Sequence, residues 1–247
     1  REAFSPRGLR FGLSTPKGVV LVGVPGCGKS LSAKALAQAW GTPLLRLDMG
    51  RIRGSRLGES EARLRSALQT AEVASPCILW IDELEKAFAG MDQALDSGVS
   101  QRLFGSFLSW LEERQAPVFV VATANDITRL PPEFTRKGRF DEAFFVGLPS
   151  DAERTAIWRI HLRRVRRLAA AVDASPLVAQ SAGYTGAEIA EAVTTSMFAA
   201  FDDDAREVRQ DDLGKALAEC VPLSRSRARD LARLTAWGQT NARPASA

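Results

Sequence analysis

A single histidine, His161, and three cysteines, Cys27, Cys77 and Cys220, are all that the sequence offers to soft-metal chemistry or oxidative cross-linking. The cysteines are odd in number, far apart and without a CxxC pair, so neither a disulfide framework nor a structural zinc is expected. No run reaches the roughly eighteen apolar residues of a spanning helix, and Arg1 to Arg10 contains no apolar stretch of the signal-peptide kind. A cytoplasmic protein without a membrane partner is therefore the expectation. No Asn-Lys-x-Asp sequence follows the apolar core runs, which sets a guanine-reading GTPase aside.

What is present has the balance of a folded protein. Of 247 residues, 45% are apolar and 25% charged, and that length holds one sizeable core or one core with a small satellite. Net charge is only +4, a weak pull toward nucleic acid. Arg163, Arg164, Arg166 and Arg167 form one basic cluster, and Arg225, Arg227, Arg229 and Arg233 a second. Asp202, Asp203, Asp204, Asp211 and Asp212 oppose them. Two readings stay open, solvated helix faces and complementary charge between neighbouring subunits.

Short apolar runs at Val19–Val22, Leu44–Leu47, Cys77–Ile81, Val118–Ala122 and Ala143–Val146 read as buried strands. Helical periods fill the intervals, at Ser30–Trp40, Glu59–Ala74 and Ser100–Glu113. Strands alternating with helices predict an α/β fold, a parallel sheet with helices on both faces. After Pro149 the strand-like runs stop. Ser150 with Glu153, and Thr185 with Glu188, have capping-box spacing at the start of helical patterns. The expected organisation is a large α/β domain over 1–149, a small C-terminal helical lid domain over 150–221, and an extension over 222–247. That extension holds one helix, Arg227–Trp237, before fraying through Arg243 and Pro244.

Gly23-Val-Pro-Gly-Cys-Gly-Lys-Ser30 fits GxxxxGK[ST] and lies between a strand and a helix, the context that a P-loop requires. Gly23, Gly26 and Gly28 let successive backbone N–H groups face a phosphate, and the following helix N-terminus adds partial positive charge. Lys29 reaches the β- and γ-phosphates of ATP, and Ser30 offers its hydroxyl to Mg2+. Ile78-Leu-Trp-Ile-Asp82-Glu83 is an apolar strand ending in two carboxylates. Asp82 suits the Mg2+ shell, through water, and Glu83 is placed to polarise the water that attacks the γ-phosphate.

With these motifs the chain resembles the AAA+ ATPases, within them the AAA clade proper, over Leu13 to Val221. The resemblance implies that Pro25, Cys27 and Leu31 join the P-loop residues around the nucleotide. It implies that Asn125, ending Val120-Val-Ala-Thr-Ala-Asn125, senses the γ-phosphate. In Phe134-Thr-Arg136-Lys-Gly-Arg139-Phe-Asp141, Arg136 and Arg139 match arginine fingers that act on a neighbour's nucleotide. In Ile157-Trp-Arg-Ile-His161 the histidine matches one beside the nucleoside. In Gly183-Tyr-Thr-Gly186-Ala187-Glu-Ile, the backbone of Gly186 and Ala187 matches the adenine contact. Within the family the sequence is similar to bacterial and plastid-encoded stand-alone AAA proteins, which share Pro-Cys-Ile-Leu-Trp-Ile-Asp-Glu.

Three departures accompany the match. Arg56 and Leu57 precede Gly58-Glu59-Ser60, where the clade's pore loop carries an aromatic residue, so only weak threading of polypeptide is expected. An Asp-Gly-Phe-like signalling element is replaced around Leu111 to Arg114. The acidic-Ile-Gly-Gly element that flanks adenine in many members is missing from the N-terminal stretch. The expected function is an ATP-hydrolysing subunit of a homo-oligomeric, hexameric ring that remodels or assembles a protein client. A nucleotide-dependent scaffold or switch, and a nucleic-acid-loading ATPase, remain as alternatives.

Overall fold

Strands that are apolar along nearly their whole length need cover on both faces, and two central strands have it: every residue of Cys77–Ile81 and of Val118–Ala124 is buried. The structure is a computed structural model that describes residues 6–13, 15–52, 58–87, 97–126 and 138–246. The order is α1 (Pro6–Phe11), β1 (Gly18–Gly23), α2 (Lys29–Trp40), β2 (Leu44–Leu47), α3 (Met49–Ile52), α4 (Glu59–Val73), β3 (Cys77–Ile81), α5 (Leu84–Ala87), α6 (Ser97–Glu113), β4 (Val118–Ala124) and β5 (Glu142–Val146). There follow α7 (Asp151–Leu162), α8 (Ala174–Gln180), α9 (Gly186–Asp202), α10 (Gln210–Glu219), α11 (Leu223–Ser226), α12 (Ala228–Asn241) and β6 (Arg243–Pro244). Among the described residues, no helix is long and apolar enough to cross a membrane.

The sheet runs β2-β3-β4-β1-β5-β6, with parallel pairing of β2 to β3, β3 to β4, β4 to β1 and β5 to β6. From β1 the chain travels outward past β4 and β3 to β2, then returns through β3 to β4. Right-handed crossovers in opposite directions place their helices on opposite faces, α2 on one and α4 with α6 on the other. Consistently, α4 packs against α6. Because the connections from β1 and from β4 leave in opposite directions, the C-terminal ends of these two neighbours form a crevice. The P-loop leaves β1 at that crevice, Asn125 follows β4, and Asp82 follows β3 next door.

The described chain divides into two compact units: one of Arg1–Gly23, Lys29–Phe145 and Trp237–Ala247, the other of Val24–Gly28 and Val146–Ala236. The sheet unit contains an element the sequence did not announce. In place of a frayed tail, α12 continues to Asn241, and Arg243 and Pro244 then pair with Phe144 and Phe145 of β5. Arg243 also forms an ion pair with Glu142 at 2.9 Å. An outermost position tolerates Pro244, which has no N–H to give the sheet. Close approach is allowed by Gly238, where a Cβ would stand 2.4 Å from the Phe145 ring.

The helical unit is built around Trp158, Leu177, Ile189 and Leu213, all fully buried. Trp158 donates its indole N–H to Ser181 Oγ at 3.0 Å, and Tyr184 donates its hydroxyl to the Leu217 carbonyl at 2.7 Å, so their polar atoms are satisfied within that core. Both capping boxes form: Glu153 N–H donates to Ser150 Oγ and Glu188 N–H to Thr185 Oγ1, with each glutamate carboxylate returning to the cap N–H. Arg206 grips Asp212 through its two terminal guanidinium nitrogens at 2.6 and 2.9 Å.

That fork, together with the Arg209 N–H, holds the Asp212 carboxyl down at about 2. A depressed value in the fold means that the unfolded chain takes up the proton first. The stability that Asp212 contributes is therefore present above its ordinary value of 3.8 and is lost as pH falls toward 2. In thermal melts across this window, Arg206→Met is expected to melt lower than wild type at neutral pH and to lose less on acidification. Equal acid slopes for the two proteins would show that the fork carries no such linkage.

Candidate active site

The loop after β1 is fixed by its own unit. Val24 N–H donates to the Val146 carbonyl at 2.9 Å, and Ala187 N–H, in the first turn of α9, donates to the Gly26 carbonyl at 3.0 Å. Gly26 has φ of 78°, and a Cβ there would lie 2.9 Å from the Ala187 Cβ and 3.1 Å from Thr185 Oγ1. Only glycine satisfies both the left-handed backbone and the contact. Gly186 belongs to the same cluster, its ideal Cβ position being 3.5 Å from Ile157 Cδ1. One turn beyond Ile157, His161 is half-buried in the last turn of α7. Burial, then the charge of Arg164, pushes its pKa below the usual value, which favours neutral imidazole. Pro25 and Leu31 are exposed and Cys27 half-buried.

In the sheet unit, Lys29 opens α2 with its side chain buried and its ammonium donating to the Gly23 carbonyl at 2.8 Å. One residue on, Ser30 Oγ donates to Asp82 Oδ1 at 2.9 Å. Thr123, buried near the end of β4, donates to the same oxygen at 2.7 Å. The Thr123 hydroxyl oxygen in turn accepts the Glu83 N–H at 3.0 Å. Asp82 Oδ2 lies 3.6 Å from the guanidinium of Arg46. Glu83 is held at φ of 50°, a conformation that non-glycine residues adopt rarely and at a cost of about 1–3 kcal/mol. The bond from its N–H to Thr123 and the 2.7 Å ion pair of its carboxylate with Lys86 help to hold it there.

Asn125, the residue after β4, donates its N–H to Glu85 Oε1 at 3.1 Å. Glu85 is buried, and burial pushes its pKa up against the hydrogen bonds from Asn125; the charge of Glu83 adds to the rise. Arg139 is engaged by Glu112 at the end of α6, Nε to Oε1 at 2.6 Å, which pulls the Glu112 carboxyl below its usual range. Around it, Lys17 donates to the carbonyls of Glu112 and Gly138, and Asp141 accepts the N–H groups of Lys17 and Gly18. Arg136, like Arg56 and Leu57, lies outside the described residues.

A family profile described as ATPase family associated with various cellular activities (AAA) matches residues 19–148, a span that includes the whole carboxylate and hydroxyl cluster. The chain belongs to the AAA family. Among its relatives, the AAA domain-containing protein ycf46 of Guillardia theta is 49% identical over 236 residues, which is 95% of this chain and 46% of that protein. The ycf46 protein of Pyropia yezoensis is 48% identical over 247 residues, 99% of this chain and 50% of that protein. The ATP-dependent zinc metalloprotease FtsH of Acidothermus cellulolyticus is 33% identical over 208 residues, 82% of this chain and 31% of that protein. The chain thus spans about half the length of the ycf46 proteins it matches.

In this AAA domain the sheet unit brings Lys29, Ser30, Asp82 and Glu83 to one end of the parallel strands. The helical unit brings Gly26 to Gly186 and Ala187. The donors near Lys29 are one hydroxyl and one carboxylate, hard oxygens suited to a cation such as Mg2+, which keeps several waters and takes its other ligands from phosphates. Among the described residues no group of three or more His, Cys, Asp and Glu side chains gathers in the manner of an all-protein metal cage.

Sequence reasoning missed Thr123, Glu85 and Glu112. Thr123 did leave a signal, a lone hydroxyl in an otherwise apolar buried strand, which must find a partner. Its removal tests the cluster directly. Thr123→Val deprives Asp82 of a donor and the Glu83 N–H of its acceptor, so a loss of about 1–3 kcal/mol is expected in denaturant unfolding, with Thr123→Ser recovering most of it. A valine variant as stable as wild type would show that the hydroxyl holds nothing in place.

Proposed function

We propose that this AAA domain binds Mg-ATP and hydrolyses it as one subunit of a homo-oligomeric, hexameric ring that remodels or assembles a protein client. The observation that carries the reading is the convergence of the Ser30 and Thr123 hydroxyls on Asp82, with Thr123 also accepting the Glu83 N–H and Ser30 following directly on Lys29. In this reading the backbone N–H groups of the P-loop and the Lys29 ammonium hold the β- and γ-phosphates. Ser30 directly and Asp82 through water would hold Mg2+, which when bound would neutralise phosphate charge. Glu83, fixed by its backbone rather than by a long flexible reach, accepts a proton from the attacking water. Asn125 orients that water, and Gly186, Ala187 and His161 take the adenine and nucleoside end. Residues 1–149 form the large nucleotide-binding domain, 150–221 the small helical domain and 222–247 an extension.

Lys29 and Glu83 divide the work between ground state and transition state. Lys29→Ala is expected to abolish tight ATP binding. Glu83→Gln is expected to bind ATP within a few-fold of wild type while kcat falls by about 10²–10⁴. Nucleotide titration and phosphate release on both variants decide the matter, and undiminished turnover in Glu83→Gln removes it as the base.

Arg136 and Arg139 are assigned to the neighbour's nucleotide, where an arginine supplied in trans is worth about 10³–10⁵ in rate in related phosphoryl-transfer systems. Hydrolysis per subunit should then rise with protein concentration. A mixture of Arg139→Ala and Lys29→Ala subunits should regain activity that neither has alone. Activity that stays flat on dilution to a demonstrated monomer is incompatible with action in trans.

A further inference from the structure

Glu85 is an acid that the proposed hydrolysis does not use, and its placement is costly. It is the second residue of α5, only 5% exposed, with one carboxylate oxygen on the Asn125 N–H at 3.1 Å and the other buried without a hydrogen-bond partner among the described residues. Burying a half-satisfied carboxylate beside Glu83 lowers stability, so a filler of packing space would be better apolar.

The placement acquires a purpose when Thr123 is considered with it. Residues 123 and 125, two apart at the end of β4, project to the same side where the strand pattern holds. The first grips Asp82 Oδ1 and the Glu83 N–H, and the second grips Glu85. The segment 82–85 is thereby tied to the end of β4 on both sides of Glu83. The Thr123 tie fixes the backbone of Glu83, and the Glu85 tie fixes Asn125.

We propose that Glu85 is a positioning residue for hydrolysis: by holding Asn125 it sets the gap between the Asn125 amide and the Glu83 carboxylate in which the attacking water is aligned. This rests on the roles assigned above to Asn125 and Glu83. Glu85 touches neither nucleotide nor water and acts through Asn125 alone.

The test is a double-mutant cycle read in kcat, with affinity for a non-hydrolysable ATP analogue measured in parallel. Glu85→Ala is expected to lower kcat by about 10- to 100-fold, the scale of a misplaced reacting group, with analogue affinity within about 3-fold of wild type. Glu85→Gln, which keeps an acceptor oxygen, should restore most of the rate. Glu85→Ala placed on Asn125→Ala should cost nothing further, because the two act as one unit. If Glu85→Ala fails to fold, Glu85→Met, which fills the space without accepting a hydrogen bond, takes its place in the cycle.

Wild-type kcat in the Glu85 variant overturns the proposal while leaving the ATPase reading intact. So does a double mutant whose loss is the product of the two single losses, the mark of independent structural damage. Absence of turnover in wild-type protein, under conditions where assembly is demonstrated, overturns the ATPase reading and this proposal with it.

Discussion

One carboxylate oxygen, Asp82 Oδ1, receives two hydroxyls that come from elements 52 and 41 residues away along the chain. Hydrogen bonds to an ionised acceptor are about twice as strong as neutral ones, and here they tie the start of α2 and the end of β4 to the tip of β3. This convergence requires β4 to lie between β3 and β1, the arrangement that the outward and returning crossovers produce. Burying both faces of the central strands and gathering polar side chains at their C-terminal ends are thus parts of one solution. The apolar runs pay for a rigid platform, and the platform sets the positions of a few polar atoms.

A second consequence concerns Glu83. Its left-handed backbone does not follow from an intrinsic preference of glutamate and is held in part by the Thr123 hydroxyl. The direction in which the Glu83 carboxylate leaves the chain therefore depends on a neighbouring strand as well as on its own segment. Its carboxylate is partly exposed and paired with Lys86, a contact worth little by itself in solvent but sufficient to select among rotamers once the backbone is fixed.

Most of the fold was legible because its signals are local. Five apolar runs gave five strands, with β1, β4 and β5 extending one or two residues beyond their apolar cores. The helical periods gave α2, α4 and α6, and Ser150 and Thr185 marked helix starts that form full capping boxes. Gly23 to Ser30 and Asp82-Glu83 stood out because their chemistry depends on residue types at short spacing. What was hidden depends on register across the sheet. That Thr123 meets Asp82, and Asn125 meets Glu85, follows from the alignment of β3 with β4, in which Ile81 lies opposite Ala122. The partner of Arg139 is Glu112, 27 residues earlier on another element, and no sequence spacing announces it. The β6 strand was invisible for a different reason. Two residues, one of them proline, carry no strand pattern, and only the approach allowed by Gly238 against Phe145 brings them to β5.

The burial of Trp158 gives the molecule an optical label of its own. Of five tryptophans, Trp40, Trp80, Trp110 and Trp237 belong to the sheet unit, and Trp158 alone belongs to the helical unit. Its indole is fully buried and hydrogen-bonded to Ser181, so its emission is set by a dry, polar-tipped pocket. Phenylalanine replacements at the other four positions leave a chain whose remaining indole fluorescence reports the helical unit alone, and the reciprocal replacement leaves one that reports the sheet unit. Whether the two units loosen together or in turn is thereby a question that light can answer without any attached dye.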